Sequence, residues 1–258
     1  MEDLKIITTT PENIHAFGMC GYKNTKNEGY RQKLDWTRKS FKEGMRYKML
    51  VSKGKGAIGG IEYIPGDYAW RPVEAGGFMF IHCIYIMKKD AKGRGYGQKL
   101  VQACLDDAAG SGMKGVAVVT RKGSWMAGKD VFVKLGFEVV DKAKPDFELL
   151  AIRFDENSNP PAFIKDFEKR AVPYSEGLHI FTSHQCPYAE KVTTEISEAA
   201  ANDFSVAPNI IHLGTAEQAR QAPFPFGTFG IVLNGKVVAD HPVSQTRFRN
   251  IMKKELKI

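Results

Sequence analysis

Ile84-Tyr85-Ile86-Met87-Lys88-Lys89-Asp90-Ala91-Lys92-Gly93-Arg94-Gly95-Tyr96-Gly97-Gln98 is the stretch whose reading decides this chain. A long apolar run starting at Phe78 ends in a turn holding three glycines, Gly93, Gly95 and Gly97. The chain then passes into Gln98–Ala109, where positions 100, 101, 104, 105 and 108 are apolar, which is helical spacing. Glycines so placed let the backbone wrap tightly and aim several N–H groups at one spot. The following helix adds the positive end of its dipole, and Lys92 and Arg94 add full charges. That combination suits a pyrophosphate. A nucleotide-triphosphate loop would need Gly-Lys-Ser/Thr here, and a dinucleotide fingerprint would need its third glycine at position 98, which is Gln.

Outward from the turn, the pattern alternates strand and helix. Leu4–Thr10 reads as a strand, and Thr10-Pro11 as a helix start with Thr10 as cap. Arg46–Ser52 and Ala57–Ile64 read as strands joined at Lys53-Gly-Lys-Gly56, and Phe78–Met87 as a third long strand. Gly115–Thr120 is a buried strand by its valines. Lys129–Leu135 is a short helix stopped by Gly136, and Phe137–Val140 and Phe147–Phe154 are closing strands. The polar, proline-bearing Asp155-Glu-Asn-Ser-Asn-Pro-Pro161 reads as a linker. Beyond it, strands at Leu178–Thr182 and Asn209–Leu213 flank a helix over Pro187–Ala200. A hairpin with an Asn234-Gly235 turn and a basic helix over Ser244–Leu256 end the chain.

Lys92-Gly-Arg-Gly95-Tyr-Gly97 resembles the pyrophosphate loop of the GNAT acyl-CoA N-acyltransferase superfamily, with Lys in place of the usual Arg or Gln. Val133-Lys-Leu-Gly-Phe137, some way downstream, resembles the Leu-Gly-Phe element of the same family. The likeness covers about residues 1–154. It implies a mixed-sheet fold and acetyl-CoA as co-substrate. The pantetheine arm would lie beside Ile84, Tyr85 and Ile86, and the pyrophosphate on Lys92, Gly93, Arg94, Gly95, Tyr96, Gly97 and Gln98. Phe132 joins this cofactor-side set by position: it stands where the family often carries a Tyr that protonates the leaving thiol, and it cannot donate a proton. The Asn often found a turn or two earlier is missing as well. Tyr85, Tyr96, Ser124 or water remain as acids.

An amine acceptor must lose a proton to attack the thioester. His82 is the leading candidate base. It stands two residues before Ile84, so alternation puts both side chains on one face, with Cys83 on the other. Some arylalkylamine N-acetyltransferases of this superfamily carry a histidine at the corresponding place. An imidazole titrates near neutral pH. Glu62 on the neighbouring strand is the second candidate. Tyr30 and Trp36 fall in the segment that usually covers the acceptor in this family.

In the second half, Ser183-His184-Gln185-Cys186-Pro187-Tyr188-Ala189 joins a strand to a helix. A cysteine at a helix start has its thiolate favoured, so Cys186 is the third candidate catalytic residue. Cys-Pro-Tyr-Ala resembles the glutaredoxin Cys-Pro-Tyr-Cys without its resolving cysteine. No Pro stands just before the Gly230 strand, where that fold would place a cis-Pro. The whole order resembles the YoaP-type acetyltransferases. The expectation is therefore an α/β chain in two parts: a GNAT domain over 1–155, a linker over 156–162 and a smaller thioredoxin-like domain over 163–258. A CoA- or thiol-binding module without acyl transfer is the alternative.

Composition sets the outer bounds. Of 258 residues, 43% are hydrophobic and 26% charged, an ordinary globular balance. No apolar run is long enough to span a bilayer, and the N-terminus lacks a signal core. The four cysteines show no metal-ligand spacing, so the expectation is a cytoplasmic protein without a metal. The net charge of +8 falls wholly within residues 1–150. A polyphosphate ligand such as CoA accounts for that asymmetry. Nucleic acid is disfavoured because no basic tract with interleaved aromatics exists. The expected partners are acetyl-CoA and a small or protein-borne amine.

Overall fold

The computed structural model describes residues 4–20, 22, 24–54, 56–87, 91–123 and 125–258. They form two units. The first holds the residues up to Thr25, Leu34–Ala69 and Val73–Phe163. The second holds Lys26–Lys33, Trp70–Pro72 and Ile164–Ile258.

The first unit is built on a seven-stranded sheet. Its strands are β1 (Leu4–Thr8), β2 (Arg46–Ser52), β3 (Gly56–Pro65), β5 (Phe78–Ile86), β6 (Gly115–Thr120), β8 (Phe147–Arg153) and β7 (Glu138–Ala143), in that spatial order. The short β4 (Val73–Glu74) pairs instead with β9 (Ala162–Phe163). All ladders of the large sheet are antiparallel except β5–β6. Parallel neighbours need a crossover, and α2 (Tyr96–Gly110) supplies it. The helix buries Leu100, Val101, Cys104, Leu105 and Ala108, the positions its apolar spacing marks out. These pack with Leu50, Ile61, Tyr63, Met79, Ile81, Val116, Val118 and Leu150 into one core.

The C-terminal end of α2 is fastened by charge. Asp107 accepts hydrogen bonds from Lys48 Nζ at 2.8 Å and Tyr63 Oη at 2.6 Å, and Arg46 Nη1 lies 3.0 Å from it. Burial pushes the Asp107 carboxyl up, but these donors together outweigh it and hold the acid below its ordinary value.

Two local expectations differ from the structure. Thr10 does not start a helix. Its N–H donates to Asn13 Oδ1 at 2.8 Å, and only a 3-10 turn, Ile14–Ala16, follows. The side-chain bond offers the backbone an alternative to helix. Conversely, α1 (Glu28–Phe41) is a full helix in a stretch with few apolar residues. Its buried positions are Tyr30, Lys33, Trp36, Thr37 and Ser40, helical in spacing but three of them polar. The short α3 (Asp130–Val133) precedes Gly136 as expected.

The second unit contains α4 (Phe167–Ala171), β10 (Leu178–Thr182), α5 (Ala189–Phe204), β11 (Asn209–His212), α6 (Ala216–Arg220), β12 (Gly230–Leu233), β13 (Lys236–Ala239) and α7 (Gln245–Leu256). Its sheet runs β11-β10-β12-β13. β10 is parallel to β11 and antiparallel to β12. Asn234 and Gly235, both at positive φ, close the β12–β13 hairpin as that turn requires. Ser244 caps α7 by accepting from Arg247 N. Among the described residues the one cis peptide is Lys144–Pro145, in the first unit.

Candidate functional site

The β5–β6 ladder pairs Phe78–Ile81 with Gly115–Val118 and stops there. β5 continues to Ile86 on its β3 side, with Tyr85 opposite Gly60 and Ile86 opposite Gly59. The two parallel strands thus part company, and a cleft of about 370 Å³ lies where they do. Crevices of this kind at the carboxyl ends of parallel strands are where α/β sheets take ligands. Ile84, Tyr85 and Ile86 line it, with Ala91, Lys92, Gly93, Gly95, Tyr96, Gly97 and Gln98 along the loop and helix start. Ala127, Asp130, Val131 and Lys134 complete the lining, and sequence reasoning did not single these out.

The loop geometry explains the glycines. Gly93 and Gly95 lie at φ of 76° and 75°, and Gly95 is the residue preceding α2. A side chain is strained at such angles. A Cβ on Gly97 would stand 3.2 Å from Val131 Cγ2, so this glycine lets α3 approach the first turn of α2. The first N–H groups of a helix have no intrahelical acceptor and are available to an anion. Lys92 and Lys134 add positive charge to the lining. Arg94 belongs to the loop but not to the lining. Phe132 does not reach the cleft: it is fully buried in the core and packs edge-on against Phe137, with ring centroids 5.5 Å apart.

Above the cleft, the β3–β5 register shifts. Glu62 faces Cys83, whereas Tyr63 faces Ile81, so His82 is an extra residue on β5. A bulge of this kind re-aims side chains. Met79 and Ile81 on one side of it, and Ile84 and Ile86 on the other, all pack with the α2 core. His82 does not. This corrects the alternation argument, which put His82 on the face of Ile84 and apart from Cys83. His82 instead stacks near Phe80 and Trp36, at centroid distances of 5.7 and 5.9 Å. Its Nδ1 lies 3.5 Å from Glu62 Oε1, and both side chains are closed to solvent. Among the described residues Glu62 is the sole buried carboxylate and His82 the sole buried imidazole.

Tyr85 enters a second polar group on that face. Its hydroxyl lies 2.9 Å from the Tyr47 hydroxyl, which is 3.9 Å from Cys20 Sγ. Burial drives both phenols well above their ordinary value, so Tyr85 holds its proton. Gly60 makes the room, since a Cβ there would meet the Tyr85 hydroxyl at 2.8 Å. Tyr96 is nearly buried and lines the cleft. Ser124 lies outside the described residues.

In the second unit, Cys186 sits half-buried between β10 and α5, and its carbonyl accepts from Ala189 N at 3.1 Å. The His184 and His212 rings stand 4.2 Å apart, and burial holds the His212 imidazole below its usual range. A Cβ on Gly29 would meet the Pro187 carbonyl oxygen at 2.1 Å, so only glycine allows that approach. Among the described residues no cluster of three His, Cys, Asp or Glu could hold a metal ion, and no helix is long and apolar enough to cross a membrane.

Residues 12–137 match the Acetyltransferase (GNAT) family, a span that takes in the cleft loop, the bulge and α3. The chain is an acyl-CoA-dependent acetyltransferase whose residues 12–137 are GNAT-like. Residues 209–250 of this acetyltransferase match a second family, described as YoaP-like. Across 250 residues the acetyltransferase is 27% identical to the uncharacterized N-acetyltransferase YoaP of Bacillus subtilis (strain 168), covering 95% of this chain and 97% of that one. Among solved structures, a ribosomal-protein-S5-alanine acetyltransferase from Vibrio fischeri overlays with a TM-score of 0.45 at 14% identity, over 62% of this chain and 97% of that one. The PaiA N-acetyltransferase from Thermoplasma acidophilum, in complex with coenzyme A, overlays with a TM-score of 0.43 at 13% identity, over 59% and 99%.

Proposed function

We propose that this acetyltransferase moves an acetyl group from acetyl-CoA in the β5–β6 cleft to an amine, with the Glu62–His82 pair receiving the amine proton. The observation that carries the reading is the meeting of three features at one place. A strand edge is left without its ladder, a glycine loop stands at positive φ, and a helix starts there. The strand edge offers backbone N–H and C=O groups to the amides of a pantetheine arm. The loop and helix start suit its pyrophosphate.

An ammonium is no nucleophile, so the acceptor must be deprotonated before attack. A carboxylate beside an imidazole orients the ring and stabilises it once protonated. Glu62 on β3 and His82 on β5 stand in that relation, and β5 is the strand that lines the cleft. The leaving sulfur departs as the carbonyl collapses.

The second unit is read as a thioredoxin-like domain. Its support is the strand-helix alternation with sheet order β11-β10-β12-β13 and a Cys-Pro pair between the first strand and its helix. With Ala189 in place of a second cysteine, only single-thiol chemistry is open to Cys186.

Calorimetry of the full chain with acetyl-CoA, followed by a thiol-release screen over small amines and N-terminal peptides, tests the reading. Micromolar binding with acceptor-dependent CoA release is expected. Absence of acetyl-CoA binding by the folded protein would remove the donor site.

A further inference from the structure

We infer that Cys83 is a catalytic nucleophile, which takes the acetyl group from acetyl-CoA as a thioester and passes it to the amine. This deepens the reading of the Glu62–His82 pair as proton acceptor and rests on it.

Three groups meet at one point of the sheet. The β5–β6 ladder ends at the Ile81–Val118 pair, so His82 and Cys83 are the first residues of β5 beyond it. Burial changes at the same place. Phe78 to His82 are buried, whereas Cys83 and the rest of β5 are partly exposed. Ile81 and Ile84 both pack with the α2 core, so the two residues between them turn to the opposite face. Ile61 and Tyr63 also pack with that core, which turns Glu62 to the same opposite face. Tyr47 is the ladder partner of Glu62, and Glu62 that of Cys83, so the three form one row across β2, β3 and β5. Side chains directly opposed in this way have Cβ atoms roughly 5 Å apart. Charge agrees with that placement: the Tyr47 phenol is raised first by burial, and Glu62 and Cys83 are both among the groups that add to it.

A nucleophile, a base beside it and a third group that orients the base make up the constellation of covalent catalysis. Cys83, His82 and Glu62 are of those three kinds. The Glu62 and His82 side chains are closed to solvent, while Cys83 is partly exposed. An acetyl group held on Cys83 would bring the attacking amine beside an imidazole that is otherwise shut off. Ile84, the next residue, lines the donor cleft, so the strand sets the sulfur one residue from the donor.

The transfer then has two halves. First, the Cys83 thiol gives its proton to His82 as its sulfur bonds to the acetyl carbonyl carbon. The bond from that carbon to the CoA sulfur breaks, and CoA leaves as a thiol with the proton from His82. Second, the neutral amine bonds to the same carbon and its proton passes to His82. The bond to the Cys83 sulfur breaks, and the sulfur recovers the proton. Nothing is oxidised or reduced, and Cys83 is a thiol again at the end.

The full chain is mixed rapidly with acetyl-CoA and no amine. A burst of CoA equal to the enzyme concentration is expected, with a Cys83 peptide heavier by one acetyl group that hydroxylamine removes. Added amine should discharge that group. Cys83→Ala should lose the burst and fall at least about 10²-fold in kcat. His82→Asn keeps the thiol and should slow the burst. Absence of a burst from a native chain that binds acetyl-CoA overturns the inference and leaves the donor site standing. So does an acetyl group found on Cys186 with Cys83 unmodified, or a native kcat in Cys83→Ala. Failure of the native chain to bind acetyl-CoA overturns both.

Discussion

His82 Nδ1 and Glu62 Oε1 face each other at 3.5 Å across the β3–β5 ladder, closed to solvent, at the bulge in β5. Alternation from Met79 and Ile81, which pack with α2, turns His82 away from α2, and the extra residue returns Ile84 and Ile86 to the α2 side, so one strand carries both the imidazole of the pair and the cleft wall.

Glu62→Gln and His82→Asn should each lower kcat about 10²- to 10⁴-fold, the usual worth of a positioned proton acceptor. Calorimetric affinity for CoA should stay unchanged, because neither side chain lines the cleft. A native kcat in either variant would exclude the pair from proton transfer.

Gly95→Val should weaken CoA binding at least tenfold. The residue stands at φ +75° immediately before α2, and a β-branched side chain at that angle must displace the loop. Circular dichroism that matches the native chain, alongside lost binding, places the effect in the loop. Unchanged affinity would mean the phosphates lie elsewhere.

Asp107→Asn should destabilise the first unit by about 2 kcal/mol at neutral pH, since Lys48 loses a charged partner in a mostly buried setting. Its native acid is held below the ordinary carboxylate value near 3.8. The stabilisation is therefore complete above that value and is lost as pH falls through the lower native one. Urea titrations at pH 7 and pH 3 should show a gap between variant and native protein that is narrower at pH 3. An equal gap at both would refute the ionic origin.

Cys186 should be alkylated by substoichiometric iodoacetamide near pH 6 ahead of the other thiols. It stands half-buried just before α5, while Cys104 is fully buried with its thiol pushed well up, chiefly by burial. Cys20 is tied to the Tyr47 hydroxyl. Peptide mapping that finds Cys20 or Cys104 modified first would mark the second unit's thiol as inert.

The glycine loop, the apolar face of α2, most strand positions and the hairpin turn were legible in the sequence. Each of these depends on neighbours in the chain: a glycine's tolerance of positive φ, an apolar repeat at three and four residues, an Asn-Gly pair. What the tertiary structure alone decided depends on pairing between distant segments. That His82 and Ile84 lie on opposite faces is set by ladder register against β3, and no local alternation reports a bulge. The Tyr47–Tyr85 hydroxyl pair joins residues 38 apart in sequence. Phe132 holds the position of an expected hydroxyl donor, yet packing against Phe137 takes it into the core. The buried stripe of α1 is largely polar, and only the groups packed against a stripe decide that it is buried at all.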